Sequence, residues 1–208
     1  MLKLFTLLAL VVLMATGAAA APKTILALGD SLTAGLGLAA TEAFPARLEA
    51  ALRAKGHDVT VINAGVSGDT AADGAARLDW ALSEPVSAVI VELGANDALR
   101  GLPVAQAEQA LDQLLTALEQ KKLPALLAGM KAPPNMGAEY QQQFDGMYER
   151  LAARHPQVLY YPFFLDGVAA DPKLNQGDGM HPTPAGVDVI VARILPSVEQ
   201  LLGKASAN

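Results

Sequence analysis

The chain has 208 residues, no cysteine, 5% aromatic residues and a formal net charge of −6, from 15 Lys and Arg against 21 Asp and Glu. Without cysteine, disulfide stapling and a lipid-modified N-terminus of the lipoprotein kind are excluded, so a packed core must carry the stability. The acidic balance argues against a nucleic-acid backbone or an anionic membrane surface as the main partner.

Residues 1–20 read as an export signal. Lys3 supplies a positive n-region, LFTLLALVVLMATG an apolar h-region, and AAA at 18–20 a small-residue cleavage pattern. A cut after Ala20 is expected, because a cut after Ala21 would leave Pro22 in the first mature position. The apolar run barely reaches membrane-spanning length, which favours cleavage over anchoring. Removing residues 1–20 leaves 188 residues with 14 basic and 21 acidic side chains, a formal −7. That length suits one domain over 21–208. The expected location is outside the cytoplasm, periplasmic or secreted, with no membrane anchor after cleavage.

From there, short apolar runs alternate with longer amphipathic ones. Strands are predicted at TILALG (24–29), DVTVIN (58–63), VSAVIVEL (86–93), PALLAG (124–129) and QVLYYP (157–162). Their near-continuous Val, Ile and Leu fits strands buried on both faces. Helices are predicted between them. AFPARLEAALRAKG has Pro45 near its start and Gly56 at its end. DTAADGAARLDWAL opens with Thr70 and Asp73 at capping-box spacing. VAQAEQALDQLLTALEQ places Leu111, Leu114, Leu115 and Leu118 on one face, and QQQFDGMYERLAARH has similar spacing. A last helix follows HPTPAG with Thr183 as N-cap and Pro184 in its first turn, and GKASAN reads as a solvated tail. The pattern predicts a three-layer α/β domain with about five parallel strands in a doubly wound order. Ligands in such sheets bind outside the carboxyl ends of the strands.

Three of those ends carry small or polar clusters. The first strand ends at Gly29-Asp30-Ser31, the second at NAGVSGDT and the third at LGAND, and Gly65 and Gly94 permit close backbone approach. Each cluster alone is also ordinary turn chemistry. A serine nucleophile needs a base, an orienting group and oxyanion donors. Of the three histidines, His57 and His155 precede the second and fifth strands, on the wrong side of the sheet, and read as solvated helix-end residues. His181, in GDGMHPTPAG after the fifth strand, is placed to reach the carboxyl-end rim. Asp178, three residues earlier, has the spacing to orient its imidazole; the lesser alternative is that it merely closes a Gly-rich turn. Ser67 in GVSGD fails the nucleophile-elbow pattern, because Asp69 stands where that pattern needs Gly.

Together the blocks GDSLTAG, NAGVSGDT, LGANDALRG and DGMHPTPAG, in this order, resemble the SGNH or GDSL-type serine hydrolases over essentially the whole chain after the signal. Within them the likeness is greatest to the bacterial periplasmic arylesterases and the acyl-CoA thioesterase and lysophospholipase branch. The resemblance implies a flavodoxin-like fold, Ser31 as nucleophile, His181 as general base and Asp178 as its orienter. It also implies an oxyanion hole made by the backbone N–H of Ser31, the backbone N–H of Gly65 and the side-chain amide of Asn96. The implied reaction is hydrolysis of carboxylic esters, acyl thioesters or lysophospholipids through an acyl-serine. A carbohydrate O-acetylesterase would share every one of these residues, and a non-catalytic binding module would keep the fold without needing the set.

Substrate choice is expected from loops on the same rim, ALRGLPV (98–104) and MKAPPNMG (130–137), where Leu99, Leu102, Pro103, Pro133, Pro134 and Met136 could wall an acyl chain. No His, Asp or Glu cluster has metal-ligand spacing, so neither metal nor cofactor is expected. The expected partner is a small-molecule acyl ester or thioester, bound by a monomer.

Overall fold

The computed structural model describes residues 22–205, so the expected export signal and its cut after Ala20 lie outside the described residues. Five parallel strands form one sheet: β1 (Lys23–Gly29), β2 (Val59–Gly65), β3 (Ala88–Glu92), β4 (Ala125–Ala128) and β5 (Leu159–Tyr161). Their order is β2-β1-β3-β4-β5, the flavodoxin-like doubly wound order. The chain therefore leaves β1 toward one edge of the sheet and later returns past β1 to build toward the other. The connections after β1 and β3 thus diverge at the switch point where such sheets bind ligands, and Ser31 and Asn96 stand just beyond those two strand ends.

The helices are α1 (Ser31–Ala34), α2 (Phe44–Ala54), α3 (Ala71–Ala76), α4 (Leu78–Ala81), α5 (Ala95–Leu99), α6 (Val104–Gln120), α7 (Ala138–Arg154) and α8 (Pro184–Lys204). On one face α2 packs against α8; on the other, α6 packs against α3 and α7. Every residue of β3 and β4 is buried, as strands covered on both faces require. The predicted stripe of α6 is wholly internal, with Leu111, Leu115 and Leu118 fully buried and Leu114 nearly so. The Thr70 and Asp73 capping box forms in both directions, and Thr183 caps α8 through Gly186 N–H.

Four expectations are corrected. The single helix expected over 69–82 breaks at Arg77, whose backbone leaves the helical region at φ −100°, ψ 7°. Its guanidinium is drawn to Asp69 and to the carbonyl of Gly29, a tertiary demand that local spacing does not reveal. The seventh helix begins at Ala138 rather than 141, and the last runs to Lys204, so Gly203 and Lys204 are helix and not tail. His155 is not a solvated helix-end residue: it is 5% exposed, with Nδ1 3.0 Å from Glu119 Oε2 and Nε2 3.2 Å from Asp112 Oδ1. Both acidic partners lie on α6, so its imidazole ties α7 to α6.

Among the described residues no helix is long and apolar enough to cross a membrane. The turn from β3 into α5 depends on Gly94. Its φ of +117° suits only glycine, and a Cβ there would lie 2.3 Å from the hydroxyl of Tyr148. Tyr148 is itself fully buried and donates to Leu93 O at 2.9 Å. Gly94→Ala should therefore cost about 2–4 kcal/mol in urea unfolding, from strain plus overpacking. Adding Tyr148→Phe should recover only the steric share; a Gly94→Ala protein as stable as wild type would contradict this account of the turn.

Candidate active site

The site is assembled on three strand ends in register. Gly29 pairs with Gly65 of β2 on one side and with Glu92 of β3 on the other. Asp30 then caps α1, its Oδ1 accepting the Leu32 N–H at 2.9 Å, and Gly35 ends that helix in the left-handed region at φ +81°. Ser31, the first residue of this single turn, is 9% exposed. A Cβ on Gly65 would lie 2.2 Å from the backbone N of Ala34, so glycine there lets the end of β2 touch the back of α1.

The loop between β5 and α8 supplies the other half. Asn175 pairs with Pro182 in an antiparallel bridge, and Gly179, at φ +71°, turns the chain between them. Asp178 does two jobs in that turn. Its Oδ1 accepts the backbone N–H groups of Met180 and His181 at 2.9 and 3.0 Å, the local bonding of an Asx turn. Its Oδ2 lies 2.6 Å from His181 Nδ1. The two readings left open by the sequence, turn closure and orientation of the imidazole, are therefore both realised in one carboxylate. The backbone N–H groups of His181 and Met180, and then the imidazole, hold the Asp178 carboxyl well below the usual carboxylate range. With Nδ1–H donating to this anion, Nε2 is left as the acceptor, and it stands 2.9 Å from Ser31 Oγ.

A residue the sequence reading passed over joins the two halves. Gln176 Nε2 donates to Leu36 O beyond α1 and to Pro182 O beside His181, at 2.8 and 2.9 Å. Gly37 makes room for it, since a Cβ there would lie 2.3 Å from Gln176 Oε1.

The structure brings Gly65 and Asn96 to the rim, with their hydrogens aimed at protein acceptors. Gly65 N–H donates to Asn63 Oδ1 at 3.0 Å, and Asn63 Nδ2 in turn donates to Ala34 O. The Asn96 amide donates to Asp30 Oδ2 and to Asp69 O, both at 3.0 Å. Burial pushes the Asp30 carboxyl up to about 6, with the charge of Asp69 adding, against the Leu32 N–H, His181 and the Asn96 amide. Arg77 secures the far side of this network, donating to Asp69 at 2.6 Å and to Gly29 O at 3.0 Å. Asp97, next to Asn96, is structural: buried, its Oδ2 accepts the Ala71 N–H at 2.8 Å and so caps α3.

The expected substrate loops lie after β3 and β4 and touch each other, for a Cβ on Gly101 would meet Met136 Cε at 3.2 Å. Tyr140 fastens them by donating to Leu102 O at 2.9 Å. Leu99 is exposed one helical turn from Asn96; Pro103 and Pro134 are exposed, and Leu102, Pro133 and Met136 are half-buried. Ser67 is exposed in the turn before α3, and the hydroxyl bonded to His181 is that of Ser31. Among the described residues no group of three or more His, Asp or Glu side chains could hold a metal ion.

Residues 27–189 match the model of the GDSL-like Lipase/Acylhydrolase family. The chain is 39% identical over 184 residues to Esterase TesA of Pseudomonas aeruginosa, covering 88% of this chain and 91% of that one. It is 41% identical over 165 residues to Thioesterase 1/protease 1/lysophospholipase L1 of Escherichia coli K12, covering 79% and 77%. Among solved structures, AlinE4, an SGNH-hydrolase family esterase, is 48% identical with a TM-score of 0.74, covering 89% of this chain and 99% of that chain. The chain belongs to the GDSL-like lipase/acylhydrolase family and is a serine ester hydrolase.

The raised Asp30 carboxyl has a measurable sign. The folded state holds that proton more tightly than the unfolded chain, where Asp titrates near about 3.9. Folded protein therefore binds more protons across the window from about 4 to about 6, and the contribution of Asp30 to stability falls as pH rises through it. Urea unfolding of wild type and Asp30→Asn at matched pH should show the stability difference shrinking across that window. A difference that does not change with pH would contradict a raised Asp30.

Proposed function

We propose that the protein hydrolyses apolar acyl esters and thioesters through an acyl-serine on Ser31, with His181 as general base and acid and Asp178 as its orienter. The observation that carries this reading is the continuous chain from Asp178 Oδ2 through His181 to Ser31 Oγ, at 2.6 and 2.9 Å. In the first step Ser31 Oγ attacks the substrate carbonyl carbon while its proton passes to His181 Nε2. Asp178, held as an anion by two backbone N–H groups, stabilises the imidazolium that forms. Collapse of the tetrahedral intermediate breaks the bond to the departing alcohol or thiol, which takes the proton from His181. Water then attacks the acyl-serine by the same route, and the proton returns to Ser31 as the acid leaves.

The oxyanion is assigned to the N–H of Ser31, the N–H of Gly65 and the amide of Asn96. The first of these is a helix-start N–H with no acceptor inside the helix. The other two must turn from, or share, their present acceptors. A full negative charge is the stronger claimant, because charge-assisted hydrogen bonds are about twice as strong as neutral ones. Asn63, which holds Gly65, is an exposed side chain that can yield.

The substrate class follows from what surrounds Ser31. The exposed large hydrophobic residues of the described chain are Leu36, Val66, Leu99, Met180 and Trp80. Four of them adjoin candidate catalytic groups: Leu36 follows α1, Val66 follows Gly65, Leu99 lies a turn from Asn96 and Met180 precedes His181. Leu36, Val66 and Met180 are further candidates that loop reasoning did not reach. Trp80 lies on α4, on the way back to the amino end of β3, so the exposed large hydrophobic residues adjoining the candidate catalytic groups are aliphatic or Met, which favours an acyl chain over a sugar. The names of the curated relatives, an esterase and a thioesterase with lysophospholipase activity, support the same class. The N-terminal pattern of Lys3, apolar run and AAA supports export with cleavage after Ala20.

Ser31→Ala should abolish both turnover of p-nitrophenyl octanoate and covalent labelling by an organofluorophosphonate; persistent labelling would return attention to Ser67. Asn96→Ala should fold normally and lose roughly 10²–10³ in kcat, the usual effect of removing one oxyanion donor. Because His181 acts as a base only when neutral, turnover should fall on acidification, and a rate indifferent to acid would contradict the assignment. Leu99→Ala with Met180→Ala should lower kcat/KM for palmitoyl substrates several-fold more than for acetyl ones, since about 0.8 kcal/mol goes with each methylene buried. Equal losses on both would remove these two residues from the acyl site.

A further inference from the structure

Beneath Ser31 lies a carboxyl group that the reaction does not use. Glu92 ends β3 in the middle of the sheet, interrupts an otherwise apolar strand and is fully buried. Its Oε2 accepts the hydroxyl of Thr33 at 2.7 Å, and its Oε1 is buried without a partner. Thr33 sits on α1 two residues after Ser31 and is itself 1% exposed. The titratable groups facing Glu92 are Asp30, from the turn between β1 and α1, and Tyr148, from α7; neither is a cation. An anion with one bare oxygen and no cation beside it is the costliest state such a site could hold.

We propose that Glu92 is a positioning residue, an uncharged carboxylic acid that ties α1, and with it Ser31, to the end of β3 through the Thr33 hydroxyl. Gly29 records the same bond from the other side. A Cβ at Gly29 would lie 2.1 Å from Thr33 Oγ1 and 2.7 Å from Glu92 Oε2, so the first residue of Gly29-Asp30-Ser31 is glycine because the tie passes over it. The need for a tie is physical: α1 is four residues long, and a helix of one turn does not hold itself. Asp30 caps its start from within the turn, whereas Glu92 anchors its inner face to β3, the fully buried central strand of the sheet. Burial first and the charge of Asp30 second push the Glu92 carboxyl well above the ordinary range, against the Thr33 hydroxyl and the backbone N–H groups of Asp30 and Thr33.

The proposal rests on the reading of Ser31 as nucleophile, and its test separates the two. In full-length protein labelled with ¹³C at the Glu carboxyl carbons, the resonance lost in Glu92→Gln should keep its protonated position above about pH 5, where ordinary Glu is ionised. Thr33→Val and Glu92→Leu should each lower kcat about ten-fold with KM within about two-fold, as for loss of one buried hydrogen bond. Glu92→Gln, which keeps a neutral acceptor for Thr33, should stay within about three-fold of wild type. The proposal is overturned if the Glu92 resonance titrates with the other glutamates, if Glu92→Gln is as damaging as Glu92→Leu, or if folded Thr33→Val turns over at the wild-type rate. Should Glu92→Leu fail to fold, the Thr33→Val and Glu92→Gln arms decide. Phosphonate labelling of wild type at a serine other than Ser31 would overturn the nucleophile assignment, while the carboxyl resonance still reports the proton on Glu92.

Discussion

The pairing of Gly29 with Gly65 on one side and Glu92 on the other is the constraint on which the site depends. Because the strands are parallel and in register, three loops leave the sheet at one level, and the groups they carry need only short side chains to meet. Asp30 and Ser31 follow β1 directly, Asn96 stands four residues beyond β3, and the His181 loop crosses above them. Two of these three strand-end residues are glycine for reasons of space. At Gly65 a side chain would strike α1, and at Gly29 it would strike the Thr33 and Glu92 pair. Neither has a positive φ, so close packing and not backbone conformation is what excludes a side chain there.

Charge under this rim is arranged by depth. The Asp178 carboxylate is near the surface, accepts two backbone N–H groups and stays ionised, as a group stabilising an imidazolium must. Asp30 and Glu92 are buried, and burial raises both. A full negative charge on each, below the proposed oxyanion site, would oppose the chemistry proposed there. The fold meets this by keeping the deeper carboxyl protonated and surrounding the shallower one with donors, the Leu32 N–H and the Asn96 amide.

Much of this was legible in the sequence, for reasons that separate local from tertiary causes. Strands buried on both faces announce themselves as continuous apolar runs, and the α6 stripe and the Thr70 capping box are set by residues three or four apart. Asp178 and His181 belong to the same class, because their contact closes within one turn. The break at Arg77 is of the other kind, since it answers to Gly29 O, 48 residues away. The burial of His155 likewise depends on Glu119 and Asp112, 36 and 43 residues distant, and the role of Gln176 depends on Leu36, 140 residues away. Glu92 was hidden for a further reason: within an apolar strand a single Glu reads as an interruption, and only its depth shows it to be a tie.

Asn96 shows how far the geometry constrains the chemistry. An amide has two hydrogens, and here both have acceptors of unequal strength, a carboxyl oxygen and a backbone carbonyl. The bond to Asp69 O fixes the plane of the amide, and Asp69 is held in turn by Arg77, so that hydrogen is the costly one to move. The hydrogen facing Asp30 is the one an oxyanion can share, but sharing it brings two oxygen charges to one donor. That conflict eases when Asp30 takes up a proton, which its buried setting already favours. The carboxyl that caps the helix of Ser31, the proposed nucleophile, thus also governs how freely the Asn96 amide can turn.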